Sequence, residues 1–138
     1  MTLTPFHLAL PVKDLDSTRR FYGGLLQCRE GRSAASWVDY DFFGHQVSFH
    51  VRPHMPEVSH NTVDGDLVPI PHFGVVLETK AWHILAERLT EAGMDFIIEP
   101  KTRFQGEAGE QSSMFFSDPS GNHLEFKSVA ALGQLFAT

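Results

Sequence analysis

Three side chains of this 138-residue chain carry the chemistry of a divalent-metal site. His7 stands in Phe6-His7-Leu8-Ala9-Leu10-Pro11-Val12, His72 in His72-Phe73-Gly74-Val75-Val76-Leu77, and Glu125 in His123-Leu124-Glu125-Phe126-Lys127. In each stretch large apolar residues alternate with small or polar ones, the period of a strand with one buried face. If the apolar faces pack on helices, both histidines and Glu125 point the other way. Two neutral imidazoles and one carboxylate suit Fe(II), Mn(II), Ni(II) or Zn(II), and leave coordination positions open for a substrate. Structural zinc modules rely instead on several cysteines, and this chain has one, Cys28. A single strand histidine is ordinarily just a packed or surface residue. What distinguishes His7 and His72 is that they occupy equivalent places in a repeat.

The repeat appears in the elements that must position them. After the first strand, Asp14 or Asp16 can cap a helix over 17–25, with Phe21, Tyr22 and Leu25 as its apolar stripe. Strands are expected near 27–32, 37–43 and 45–52, with Gly44 marking a hairpin. Residues 53–71 hold four prolines and no clear period, and read as a linker. The pattern then restarts with a strand over 72–77, a helix over 80–92 ended by Gly93, and a strand over 96–99. A glycine-bearing loop is expected over 101–111. Strands over 112–117 and 122–127 follow, joined by the turn Asp118-Pro119-Ser120-Gly121, and a short helix is expected within 128–138. In each half the opening histidine is followed two places later by a small residue, Ala9 or Gly74. Each half closes on a glycine and a strand, Gly44 to Phe49 and Gly121 to Phe126. Neither half alone would bury much core.

Composition removes several classes. A net charge of −6 argues against nucleic acid as partner. No apolar run is long enough to span a bilayer, and the opening residues do not read as a signal peptide. One cysteine excludes an intrachain disulfide and fits a cytoplasmic protein.

The chain resembles the vicinal oxygen chelate superfamily, which includes glyoxalases, bleomycin-resistance proteins, extradiol dioxygenases and fosfomycin-resistance transferases. The resemblance rests on His7 within 6–12, on Arg20-Phe21-Tyr22, on His72-Phe73-Gly74, and above all on Asp118-Pro119-Ser120-Gly121-Asn122-His123-Leu124-Glu125-Phe126. It implies an α+β fold in which two tandem βαβββ modules form a curved mixed sheet around a metal-lined cavity. Residues 1–138 would form a single domain: module one about 1–53, linker about 54–70, module two about 71–128, and a tail over 129–138. It maps His7, Ser48, His72 and Glu125 onto the four ligand positions. Ser48 departs from the carboxylate or amide usual there, so His7, His72 and Glu125 resemble the two-histidine, one-carboxylate sites of extradiol dioxygenases and fosfomycin-modifying enzymes. Gln46 or His50, on the same face as Ser48, are candidate replacements.

The resemblance therefore implies a metal-dependent enzyme acting on a small oxygenated substrate, catechol-like or carbonyl, most like an extradiol-type dioxygenase with Fe(II). In that reading His50 or His123 relays protons, Arg103 binds a substrate carboxylate, and Phe115 with Ser48 and Gln46 contacts the substrate. The alternatives are a glyoxalase- or isomerase-type lyase, and a resistance-type transferase or binding protein. The last would need a basic and hydroxyl cluster that the sequence alone does not reveal. A small-molecule substrate and a homodimer are expected, with no nucleic acid and no membrane as partner.

Overall fold

A computed structural model describes residues 3–138. The chain is α+β, with two four-stranded mixed sheets and a separate hairpin. It divides into two compact units. The first takes in the chain to Glu57 together with Asp118–Asn122, and the second Val58–Ser117 and His123–Thr138.

The first unit runs β1 (His7–Val12), α1 (Leu15–Thr18), a π-helical segment (Arg19–Leu25), β2 (Arg29–Ala34), β3 (Trp37–Phe42) and β4 (His45–Val51). Its sheet order is β1-β4-β3-β2, with β1 parallel to β4. Asp14 caps α1, its carboxylate accepting from the Ser17 N–H at 2.7 Å. Phe43 and Gly44 form the tight turn between β3 and β4, both in the left-handed region at φ 53° and 91°. The core is aromatic. Tyr22 lies 4.2 Å from Phe49, ring centre to ring centre, and Tyr40 and Phe42 pack beside it. Leu8, Leu10 and Val12 are more covered than His7 and Ala9, as the alternation predicts. Phe6, read as part of the same stripe, lies outside the strand and is 62% exposed.

The segment Asp118–Asn122 closes this unit. Its Ser120 hydroxyl accepts from the Lys13 N–H, and its Asn122 amide donates to the Pro11 carbonyl. The Tyr22 hydroxyl donates to Asp118 at 2.8 Å, and both residues are buried. Burial, with the Asp118 charge second, holds the Tyr22 pKa well above its usual 10.0. Burial also pushes Tyr40 up to about 12, helped by Glu30. A phenol that resists ionisation when folded contributes fully below the unfolded value near 10, and that contribution is lost as pH rises beyond it. The urea midpoint is therefore expected to fall above pH 10. Tyr22→Phe should flatten part of that fall and cost about 1.5–3 kcal/mol at neutral pH through the lost bond to a carboxylate. An unchanged alkaline slope in this variant would contradict the assignment.

The second unit contains β5 (Ser59–Val63), β6 (Asp66–Ile70), β7 (Val76–Leu77), α2 (Thr79–Glu91), β8 (Ile98–Arg103), β9 (Gln111–Ser117) and β10 (His123–Val129). Its larger sheet has the order β7-β10-β9-β8, the same first-fourth-third-second arrangement as in the first unit. The repeat read from the sequence is thus a repeat of topology. Trp82, Leu85, Ala86 and Leu89 form the buried stripe of α2, and the Trp82 indole donates to the Phe126 carbonyl at 2.8 Å. Along β10 buried and half-buried residues alternate strictly, with Leu124 and Phe126 in the core.

Four local expectations are corrected. Residues 59–70, read as linker, form the β5–β6 hairpin, turning through Asp64-Gly65 with both φ positive. Asp-Gly between two strands is a type I′ hairpin signal, masked here by the surrounding prolines. The strand expected over 72–77 is confined to Val76–Leu77 plus a single bridge from Phe73 to Leu124. The strand placed at 96–99 instead spans Ile98–Arg103, so part of the expected loop is sheet. Pro100 is tolerated there because β8 is an edge strand with a bulge between Ile98 and Lys101. The C-terminal helix is only one 3-10 turn, Leu132–Gln134.

Candidate metal centre and cavity

In the second unit β10 and the segment before β7 bring His72 and Glu125 together. The His72 Nε2 lies 3.2 Å from the Glu125 Oε1. The parallel bridge of Phe73 to Leu124 sets this alignment, and Gly74 lets the two backbones touch. On the far side of the ring, His72 Nδ1 lies 2.6 Å from the Pro69 carbonyl oxygen. A carbonyl only accepts, so Nδ1 carries a proton, and Nε2 is the ring nitrogen that faces Glu125. The other carboxylate oxygen accepts from the Ser113 hydroxyl at 2.6 Å. Phe115 is buried and meets the imidazole edge-on, 5.0 Å between ring centres.

A ring nitrogen and a carboxylate oxygen across 3.2 Å are joined either by a proton on Nε2 or, as ligands, by a cation between them. Donors bonded at about 2.1 Å in neighbouring octahedral positions stand about 3 Å apart. The pair therefore fits a divalent ion. Both groups also have the outer hydrogen bonds that orient metal ligands, Pro69 for the histidine and Ser113 for the carboxylate. Among the described residues, no three His, Cys, Asp or Glu side chains form a group that could hold a metal.

The pair opens into a cavity of about 220 Å³ within the second unit. Val63, Val68, Ile98 and Phe115 supply apolar wall, and Lys101, Arg103 and Lys127 supply cations. Arg103, expected to meet a substrate carboxylate, is already held by Asp64 at 2.6 Å and Asp66 at 3.2 Å. Lys101 also pairs with Asp66. Hydrogen bonding from Lys101, with the charges of Lys101 and Arg103 added, holds the Asp66 pKa below its usual 3.8. Asp66 thus favours the native hairpin above pH 3.8, and the effect is lost as pH falls below it. Asp66→Asn is expected to speed amide exchange across 59–70 while leaving β9 and β10 protected. Uniform exchange in the variant and wild type would rule out the pairing as the hairpin's anchor.

In the first unit His7 lies exposed on β1, in register with Gln46 of β4, and Ala9 is in register with Ser48. The Ser48 hydroxyl donates to Asp39 at 2.6 Å, and the Gln46 amide reaches the other Asp39 oxygen at 3.4 Å. The carboxylate absent from β4 is therefore present one strand over. Asp39 was not singled out from the sequence. Its signal was the alternation of Trp37, Asp39 and Asp41 with buried Val38, Tyr40 and Phe42, but only the cross-strand register places it opposite Ser48. His50 is exposed and lies beside the Trp37 ring. His123, in the second unit, shares a 2.8 Å hydrogen bond with Ser117. Cys28 is half-buried, and burial raises its thiol to about 11, so it is no nucleophile at neutral pH.

The model of the Glyoxalase/Bleomycin resistance protein/Dioxygenase superfamily matches residues 4–126. Among solved structures, a glyoxalase/bleomycin resistance protein/dioxygenase from Alicyclobacillus acidocaldarius is 29% identical, with 96% of each chain covered and a TM-score of 0.76. The fosfomycin resistance protein FosX from Listeria monocytogenes is 19% identical, covering 97% of this chain and 98% of its own, at a TM-score of 0.70. FosX from Mesorhizobium loti is 20% identical, covering 99% and 100%, at 0.67. No curated protein matches the chain significantly. No helix of the described residues is long and apolar enough to cross a membrane.

Proposed function

The chain belongs to the Glyoxalase/Bleomycin resistance protein/Dioxygenase superfamily, and from that premise we propose that it is a metal-dependent enzyme acting on a small oxygenated substrate. Members of the superfamily are generally enzymes, typically hold a divalent metal, and usually act on small molecules. The observation that carries the reading here is the His72–Glu125 pair, a ring nitrogen and a carboxylate oxygen 3.2 Å apart, each side chain oriented by a second hydrogen bond.

In this proposal His72, Glu125 and His7 hold the ion, with Fe(II) favoured and Mn(II), Ni(II) or Zn(II) as alternatives. A divalent ion held there would supply Lewis-acid polarisation of substrate oxygens. The chain's own groups do the rest. Ser113 and the Pro69 carbonyl fix the two ligands in place. Phe115 and the valines beside it exclude water from one wall. His123 or His50 relays a proton, and Gln46 and Ser48, both bonded to Asp39, contact substrate. The two units act as one domain, and the protein works as a cytoplasmic homodimer. The first reading is an extradiol-type dioxygenase, because two histidines and one carboxylate would leave a bound ion with open coordination positions. A non-redox reading, lyase or transferase, is favoured by Lys127, an ammonium at the cavity beside Glu125, since Lys101 and Arg103 are paired with Asp64 and Asp66.

Elemental analysis of protein purified without chelator separates these. Iron at about one equivalent, with oxygen uptake on catechols, supports the dioxygenase reading. Nickel, zinc or manganese without oxygen uptake supports the other. Failure to take up any divalent ion, even on anaerobic reconstitution, would overturn the enzyme reading.

A further inference from the structure

The charges around the cavity are unevenly committed. Lys101 and Arg103 are paired with Asp64 and Asp66. Lys127 lines the same cavity, and among the described residues its ammonium makes no ion pair or side-chain hydrogen bond. It stands two residues beyond Glu125 on β10, so both side chains rise from one face, about 6.6 Å apart along the strand. Ser113, which donates to Glu125, is directly opposite Lys127 on β9. A volume of about 220 Å³ is below the roughly 300–1,000 Å³ of pockets for drug-sized ligands, so the occupant has few heavy atoms.

We propose that this cavity takes a small monocarboxylate carrying a second oxygen on the neighbouring carbon, as a 2-hydroxy or 2-oxo acid does. The carboxylate accepts from the Lys127 ammonium. The second oxygen lies at the His72–Glu125 end, and the short hydrocarbon part meets Val63, Val68, Ile98 and Phe115. One uncommitted ammonium offers one charge-assisted contact, which a carboxylate can accept. A dianion such as a phosphonate would need Arg103 released from two aspartates, so the site discriminates against it. The placement of the second oxygen rests on the function proposed above. The pairing of carboxylate with Lys127 does not.

The test is titration of the full chain, followed by NMR, with lactate, with neutral lactamide and with dianionic 1-hydroxyethylphosphonate. Lactate is expected to bind at least about tenfold more tightly than either analogue. Lys127→Gln should lose that tenfold and Lys127→Arg should keep most of it. No lactate binding, equal or tighter binding of the phosphonate, or an unaffected Lys127→Gln variant would each overturn the proposal. Zinc uptake is measured on the same samples. Lys127-dependent lactate binding by protein that takes up no metal would sustain this inference and sink the proposed function. Metal uptake without any Lys127 dependence would do the reverse.

Discussion

Replacing Glu125 by alanine is expected to lower divalent-metal affinity by more than about a hundredfold, since even outer partners of metal ligands contribute about 10–100-fold. The variant removes the only anionic member of the facing pair and leaves His72 Nε2 opposite empty space. It also strands the Ser113 hydroxyl, which now donates to Glu125 at 2.6 Å. Ser113→Ala provides the graded comparison. It keeps both ligands and removes only the orienting bond, so a loss of about tenfold is expected. Calorimetric titration with zinc and with manganese measures both. The fold should tolerate the change, because Glu125 lies on the half-buried face of β10 while Leu124 and Phe126 hold the core. Undiminished metal uptake by Glu125→Ala would remove this carboxylate from the site.

Gly74→Ala should be the most damaging single methyl in the second unit. A Cβ built at Gly74 falls 1.7 Å from the Glu125 carbonyl oxygen and 2.7 Å from its carbonyl carbon. Both obstacles are backbone, and the backbone concerned is hydrogen-bonded, the Glu125 N–H donating to the Phe73 carbonyl. Nothing can rotate aside, so this segment must separate from β10. A cost of about 3 kcal/mol or more is expected, with a Tm lower by roughly 10 °C. Because the strand that moves carries Glu125 and the segment that moves carries His72, metal uptake should fall with stability. Gly24→Ala is the control. Beyond its chain neighbours and its own helical turn, nothing lies within 4 Å of a Cβ there, and its stability should stay within about 1 kcal/mol of wild type. A Gly74→Ala protein as stable as this control would contradict the close approach.

Much of the arrangement was already legible in residue order. Period-two alternation in 7–12 and 123–129 marks both strands and both faces, because a pleated strand has no other way to bury large residues on one side only. The equivalence of His7 with His72 and of Gly44 with Gly121 announces a repeat, and the two sheets share one strand order. The run from Asp118 to Phe126 carries most of the family resemblance. The Asp64-Gly65 turn was equally present in the sequence, but four prolines nearby made the segment read as linker.

What needed the tertiary structure is everything that depends on register and on partners distant in sequence. Pairing of β3 with β4 places Asp39 opposite Ser48, and no local pattern specifies which of three outward residues on β3 that will be. The Pro69 carbonyl engages His72 Nδ1 and turns Nε2 toward Glu125, which composition and spacing do not address. Arg103 looked like a loop residue free to meet a substrate. It sits instead on an edge strand and is neutralised by a hairpin nearly forty residues earlier in the chain. Alternation along β10 puts Lys127 on the face of Glu125, but it is one of eleven cations, and its uncommitted charge has meaning only beside the committed ones. Local sequence determined which faces are polar, because burial acts on each side chain as its strand forms. Which polar groups meet was decided by strand pairing, because hydrogen bonds and ion pairs act over a few ångströms between residues the chain order keeps far apart.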